Sequence, residues 1–183
     1  GVDAAKQAAI TKDLPGKDLS RVLAASDKGG LEAVREGALF NYNMFAYLDG
    51  PFLMRAAEYL NKGGDPKKLK DDPAMRPDMR KRGAVRSVYD GRYVYARYFS
   101  PKQHNRPDTL EAIHKYNDVE LYDTQVDPAE LNNLGRSQPE LVLAMNEKLN
   151  RLIEAEVGED KGQMLPGGLD AGWEVSEETL RGA

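Results

Sequence analysis

The sequence predicts an α+β domain: a small antiparallel sheet of about four strands with a C-terminal amphipathic helix packed on one face. Three features carry this. Two strand-like runs, Ala84 to Tyr89 and Arg92 to Phe99, flank an Asp90-Gly91 pair, the strongest short-range signature of a hairpin. From Ser137 to Gly158, Leu141, Met145, Leu149, Leu152 and Ile153 fall on one helical stripe. Strands precede this helix without a repeating strand-helix alternation, which favours antiparallel pairing.

The elements follow in order. Lys12 to Leu19 holds a Pro-Gly turn, after which Asp18 or Ser20 caps a short helix running through Ala25. Asp27-Lys28-Gly29-Gly30 ends that unit, and Gly37 to Met44 reads as the first strand. Pro51 suits the first turn of a helix, with Phe52, Leu53, Ala56, Ala57 and Leu60 at helical spacing and Gly63-Gly64 as its stop. Asp65 to Arg82 is charged and proline-rich, with Leu69 and two methionines as its large apolar residues, and is expected as an exposed excursion.

The hairpin comes next, its Asp-Gly pair suited to a type I′ turn with positive φ at both central positions. In its second arm Tyr93, Tyr95, Arg97 and Phe99 face one way and Arg92, Val94, Ala96 and Tyr98 the other. Ser100 to Thr109 is a polar loop, and Val119 to Tyr122 a further strand. Asp127-Pro128 and Asn132-Asn133 build a turn region. Ser137 with Glu140 forms a capping box for the last helix, and Gly158 closes it.

Residues 1–30 are expected to be a linker with a short helix continuing from a missing large domain. Residues 31–158 form the folded unit, with its excursion near 61–82, and residues 159–183 an acidic tail that either stays loose or lies against the body with Trp173 as anchor. The opening Gly1-Val2-Asp3 has neither an initiator methionine nor a signal-peptide pattern, so sequence is expected upstream.

Composition narrows the function classes. The 183 residues are 40 % hydrophobic, enough for a core, and no window approaches the roughly 18 apolar residues of a membrane-spanning helix. No membrane partner is expected. The chain has no cysteine, which excludes disulfides, thiolate zinc sites and a cysteine nucleophile within it, and its two histidines are His104 and His114. Net charge is −4, and the basic residues between Lys62 and Arg82 are interleaved with Asp65, Asp71, Asp72 and Asp78 and lack aromatic neighbours, so no nucleic-acid partner is expected either.

Three groups carry possible chemistry. Lys102, His104 and Arg106 could hold an anion through charge-assisted hydrogen bonds, against the simpler reading of a solvated basic loop. Tyr93, Tyr95 and Phe99 could form an aryl or carbohydrate platform, against the commoner role of cross-strand core pairs, and Tyr42, Phe45 and Tyr47 share the ambiguity. Ser137-Gln138-Pro139-Glu140-Leu141 partly imitates a nucleophile motif, but a helix cap explains every residue.

From Ala84 onward the order of features resembles the C-terminal part of a sulfatase of the arylsulfatase type, in the alkaline-phosphatase-like superfamily. The most specific run is Glu120-Leu121-Tyr122-Asp123, then Asp127-Pro128-Ala129-Glu130 and Asn133-Leu134. A Pro139-Glu140-Leu141 helix start follows, the Val85-Arg86 to Tyr95 hairpin precedes, and Leu14-Pro15-Gly16-Lys17-Asp18-Leu19 is similar to a family segment beyond the last large-domain elements.

The resemblance implies the non-catalytic C-terminal portion of a sulfuric ester hydrolase, packed on its catalytic domain and lining part of the substrate cleft. Lys102, His104, Arg106 and Tyr95 are then the cleft candidates. It also implies calcium and a formylglycine made from a Cys/Ser-x-Pro-x-Arg run, both in the missing domain. Here Leu141 stands where that run requires arginine, so no catalytic or metal residue and no cofactor is assigned to this chain. A periplasmic or secreted location, and a homo-oligomer formed through the tail, are consistent with the family. Two alternatives remain: a free-standing module for an anionic or sulfated glycan, and a structural relative of sulfatases without activity.

Overall fold

The computed structural model describes residues 3–14, 16–24, 33–43, 49–69, 71–101 and 106–160. Four expectations fall outside these residues: the first helix's end at Ala25 with its Gly29-Gly30 stop, the strand end at Met44 with Phe45 and Tyr47, the pair Lys102 and His104, and the tail with Trp173. The described chain runs α1 (Ala4–Thr11), α2 (Ser20–Ala24), β1 (Ala38–Tyr42), α3 (Gly50–Asn61), β2 (Ala84–Tyr89), β3 (Tyr93–Phe99), α4 (Leu110–Tyr116), β4 (Asn117–Asp123) and α5 (Pro139–Glu156). The four strands form one sheet in the order β1-β2-β3-β4, each neighbour antiparallel. The architecture is α+β, with α5 packed on one face.

Register explains the core. Leu39, Val88, Tyr95 and Leu121 stand opposite one another across the four strands, and the strand period of two puts all of them on one face. Helix α5 lays Val142, Met145, Leu149, Leu152 and Ile153 over this row, and α4 adds Ile113. Burying each such side chain contributes about 1.5–3 kcal/mol. Gly37 lets the chain enter β1, because a Cβ there would lie 2.7 Å from Val88 Cγ2 and 2.9 Å from the Tyr89 carbonyl oxygen.

Several local expectations are corrected. Positive φ in the hairpin turn occurs at Gly91 alone (96°), the type II′ pattern, and not at Asp90 as a type I′ turn requires. Asp90 instead sits before the turn, its carboxylate accepting from the Arg92 and Tyr93 N–H groups and from Lys148 Nζ at 2.8 Å. Ser137 does not cap α5: its hydroxyl donates to the Leu134 carbonyl, and Gln138 precedes the helix without a side-chain cap bond. Proline at the first turn leaves one fewer N–H to satisfy there. Two helices were not anticipated, α1 capped by Asp3 and α4 capped by Thr109. β4 begins at Asn117, two residues before the expected Val119.

The 61–82 excursion is tethered rather than freely exposed. Met79 is buried, and the buried Asp49 binds Lys81 Nζ at 2.7 Å and the Asp78 N–H at 2.9 Å while capping α3 through the Phe52 N–H. The Lys81 ammonium first, then these two N–H groups, hold the Asp49 carboxyl well below its ordinary value of 3.8. A carboxyl depressed in the folded state stabilises fully above its unfolded pKa and loses that contribution only as pH falls through the lowered one. Amide exchange should therefore find the Asp78 N–H protected down to and below pH 3.8, with protection lost only in stronger acid, and lost at every pH in Asp49→Ala. Protection that already vanishes near 3.8 would contradict the tether.

Candidate functional site

Of the cleft candidates, Tyr95 and Arg106 lie among the described residues, and Lys102 and His104 lie outside them. Tyr95 is fully buried beneath α5, its hydroxyl donating to Asn146 Oδ1 at 3.3 Å, and burial pushes its phenol far above the ordinary range. Its ring belongs to the core and cannot serve as a platform. Phe99 is buried likewise, which decides that face for cross-strand packing. Arg106 is at the surface, bound to Glu154 Oε2 at 2.8 Å. It borders a groove of about 740 Å³ with Asp108, Asn146, Glu147, Asn150 and Arg151. Arg151 is held by Glu36 at 2.8 Å and Glu147 at 3.2 Å. Among the described residues, both cations of this groove are already paired with carboxylates.

Beneath the groove lies a polar cluster that sequence reasoning missed. Arg97 is 1 % exposed, its Nη1 donating to Asn146 Oδ1 at 2.9 Å and its Nη2 to Asn150 Oδ1 at 3.1 Å. Both asparagines donate in turn to the Pro107 carbonyl, at 2.7 and 3.2 Å. Arg97 Nε has no partner. Burial pushes the guanidinium down to about 10, which leaves it charged at neutral pH. A buried cation is costly unless its donors are matched, and here neutral amides on adjacent turns of α5 supply the acceptors. The signal was present: Asn146 and Asn150, four residues apart, interrupt the apolar side of α5, and Arg97 shares the inward face of β3 with Tyr95 and Phe99.

The opposite face of the sheet is the surface that stands out. Register brings Phe40, Ser87, Ala96 and Glu120 into one row, Tyr42, Val85, Tyr98 and Asp118 into the next, and Ala38, Tyr89, Val94 and Tyr122 into a third. An antiparallel sheet covered on one side ordinarily alternates apolar inward with polar outward. This face is aromatic instead. Phe40, Tyr42 and Tyr89 are 56, 48 and 43 % exposed, and the Phe40 and Tyr42 rings stack at 6.3 Å. Carboxylates rim its β4 side. Tyr98 donates to Glu120 Oε2 at 2.9 Å, and burial, then this bond, push its phenol up to about 12. Burial first, then the charges of Glu120, Glu130 and Asp127, also raise Tyr122. Helix α3 is only partly covered: Phe52, Leu53 and Ala56 of its apolar stripe are half-buried, while Met54 and Leu60 are exposed.

Among the described residues no group of three or more His, Asp or Glu side chains could hold a metal ion. No family model matches the chain, and no curated protein matches it.

The buried cluster makes a ranked prediction. Asn146→Ala strips acceptors from both Arg97 and Tyr95 and should lower unfolding free energy by about 3 kcal/mol in urea titration, whereas Tyr95→Phe removes one hydrogen bond and should cost about 1 kcal/mol. Equal effects would show that Arg97 finds its acceptor elsewhere.

Proposed function

We propose that this chain is the non-catalytic C-terminal portion of a sulfuric ester hydrolase of the arylsulfatase type, which packs against a large catalytic domain. The observation that carries the reading is the aromatic sheet face, on which Phe40, Tyr42 and Tyr89 stay exposed among the described residues while α4 and α5 pack on the other side. Phe40, Tyr42 and Tyr89 stand exposed together on this face, and grouped exposed aromatic residues of this kind often mark an interaction surface. It is what remains when a layer is taken away from a three-layer arrangement. The Glu120-Leu121-Tyr122-Asp123 run supports the same reading.

That run also has a local structural role. Asp123 clamps Arg92 through both carboxylate oxygens, Asp127 turns the chain by accepting from the Leu131 and Asn132 N–H groups, and Asn133 and Leu134 close the β4 edge. The resembled motif thus builds a compact strand end and supplies no nucleophile. Ser137 is engaged in a turn, and the run after it lacks the required arginine. Catalysis, with calcium and formylglycine, then belongs to the domain that this one covers. The binding-module alternative loses Tyr95, which is core, as a ligand contact.

Two outcomes test the proposal. The purified chain should release no sulfate from aryl sulfates, with or without calcium, and turnover above background would overturn it. Tyr89→Glu should leave the isolated chain's melting curve unchanged while abolishing its co-purification with a co-expressed sulfatase catalytic domain. Co-purification that survives this charge would place the contact elsewhere.

A further inference from the structure

The sheet has two edges, and the chain treats them differently. The hairpin bond from Asp90 N–H to the Tyr93 carbonyl fixes which residues exchange hydrogen bonds, because bonded pairs alternate along an antiparallel ladder. Counting in register, Val85, Ser87 and Tyr89 turn their backbone groups toward β1, where Tyr42, Phe40 and Ala38 meet them. The backbone groups of Leu39 and Asn41 therefore point outward. The same count on β4 turns Val119 and Leu121 outward, and there the chain closes the edge itself. The Val119 carbonyl accepts from Asn133 Nδ2, the Leu121 N–H donates to Asn133 Oδ1, and the Leu121 carbonyl accepts from the Leu134 N–H at 2.7 Å. On β1 the outward groups have no such partner among the described residues. The strand has none of the lysines, prolines or bulges that usually guard an edge.

We propose that the β1 edge is a homodimer contact, in which β1 of a second copy pairs antiparallel to it and the two sheets become one of eight strands. An open ladder dictates an extended strand as its occupant, and β1 itself has the complementary chemistry. A two-fold axis at Phe40 sets Leu39 opposite Asn41 of the second copy, so that each pair exchanges two backbone hydrogen bonds. Phe40 then meets its own copy in the close, non-bonded position. Ala38 falls opposite Tyr42 of the second copy, a small residue facing a large one. Ala38 to Tyr42 carries no charge, and the nearest charges are already neutralised, Arg35 by Glu156 and Glu36 by Arg151. Self-pairing thus brings no like charges together.

Phe40 and Tyr42, the aromatic residues of the edge strand itself, leave on the order of 100 Å² each to cover, which with the backbone edge falls at the small end of specific interfaces, where micromolar dissociation is expected. This inference does not need the sulfatase reading, since it rests on the open backbone groups of the β1 edge.

Sedimentation of the chain from about 1 to 100 µM should show the weight-average mass rising from 20.3 kDa toward twice that value. Over the same range the Leu39 and Asn41 amides should gain exchange protection, while those of Ala38, Phe40 and Tyr42 stay protected throughout. Asn41→Pro deletes one outward N–H and leaves the β1–β2 ladder whole, so it should hold the chain monomeric with an unchanged circular dichroism spectrum. Tyr122→Lys, at the far edge of the aromatic face, should still dimerise. A monomer at every concentration overturns the proposal, and so does a dimer whose Leu39 and Asn41 amides stay unprotected. Loss of the dimer in Tyr122→Lys as complete as in Asn41→Pro would assign the association to sheet faces and overturn it equally.

Discussion

The seating of α5 on the row Val88, Tyr95 and Leu121 is the contact on which the other elements depend. A four-stranded sheet of short strands does not hold its twist and register in water without a packed face, and Val142, Met145, Leu149 and Ile153 supply that packing from one helix. The helix in turn gains its orientation from polar contacts at its sides. Lys148 reaches the hairpin turn at Asp90, and Asn146 and Asn150 hold Arg97. An apolar stripe alone tolerates sliding, whereas two asparagines that must both meet one guanidinium permit one axial position. The buried Arg97 cluster is therefore a register device, and the cost of its desolvation is offset only in that position.

Covering one face so completely throws the other into relief. Nothing in the α5 contact requires Phe40, Tyr42, Tyr89, Tyr98 and Tyr122 to be aromatic, since they stand on the far side of the sheet. The face and the β1 edge make different demands: a face needs a layer that buries rings, an edge needs a strand that bonds backbone. The two demands can be met at once, since a layer on the face and a strand at the edge occupy different surfaces of the sheet.

Much of the architecture was legible in the residues. The hairpin, the α3 and α5 stripes and the outward and inward sets of β3 followed from periodicity, because a strand's two-residue and a helix's 3.6-residue repeat leave direct traces in apolar spacing. What misled was local chemistry with more than one use. Ser137 and Glu140 spell a capping box, yet Ser137 closes the preceding turn instead. Asp90-Gly91 spells a type I′ turn, yet Asp90 is worth more as the acceptor of Lys148 and two N–H groups, and the turn moves on by one residue. Helix α4, seven residues between a polar loop and a strand, carries too few periodic positions to announce itself.

By itself the sequence determined the α+β class, the strand directions, the helix that covers them, and the absence of a cysteine nucleophile, because these rest on composition and on contacts close in the chain. Only the tertiary structure decided which aromatic residues are core and which are surface. Alternation puts Tyr95 and Tyr98 on opposite faces of one strand, but only the side on which α5 landed decides which of them is core. The same holds for Arg97, whose acceptors Asn146 and Asn150 lie about fifty residues away, and for the two edges, since strand order is fixed by long-range pairing that no local pattern encodes.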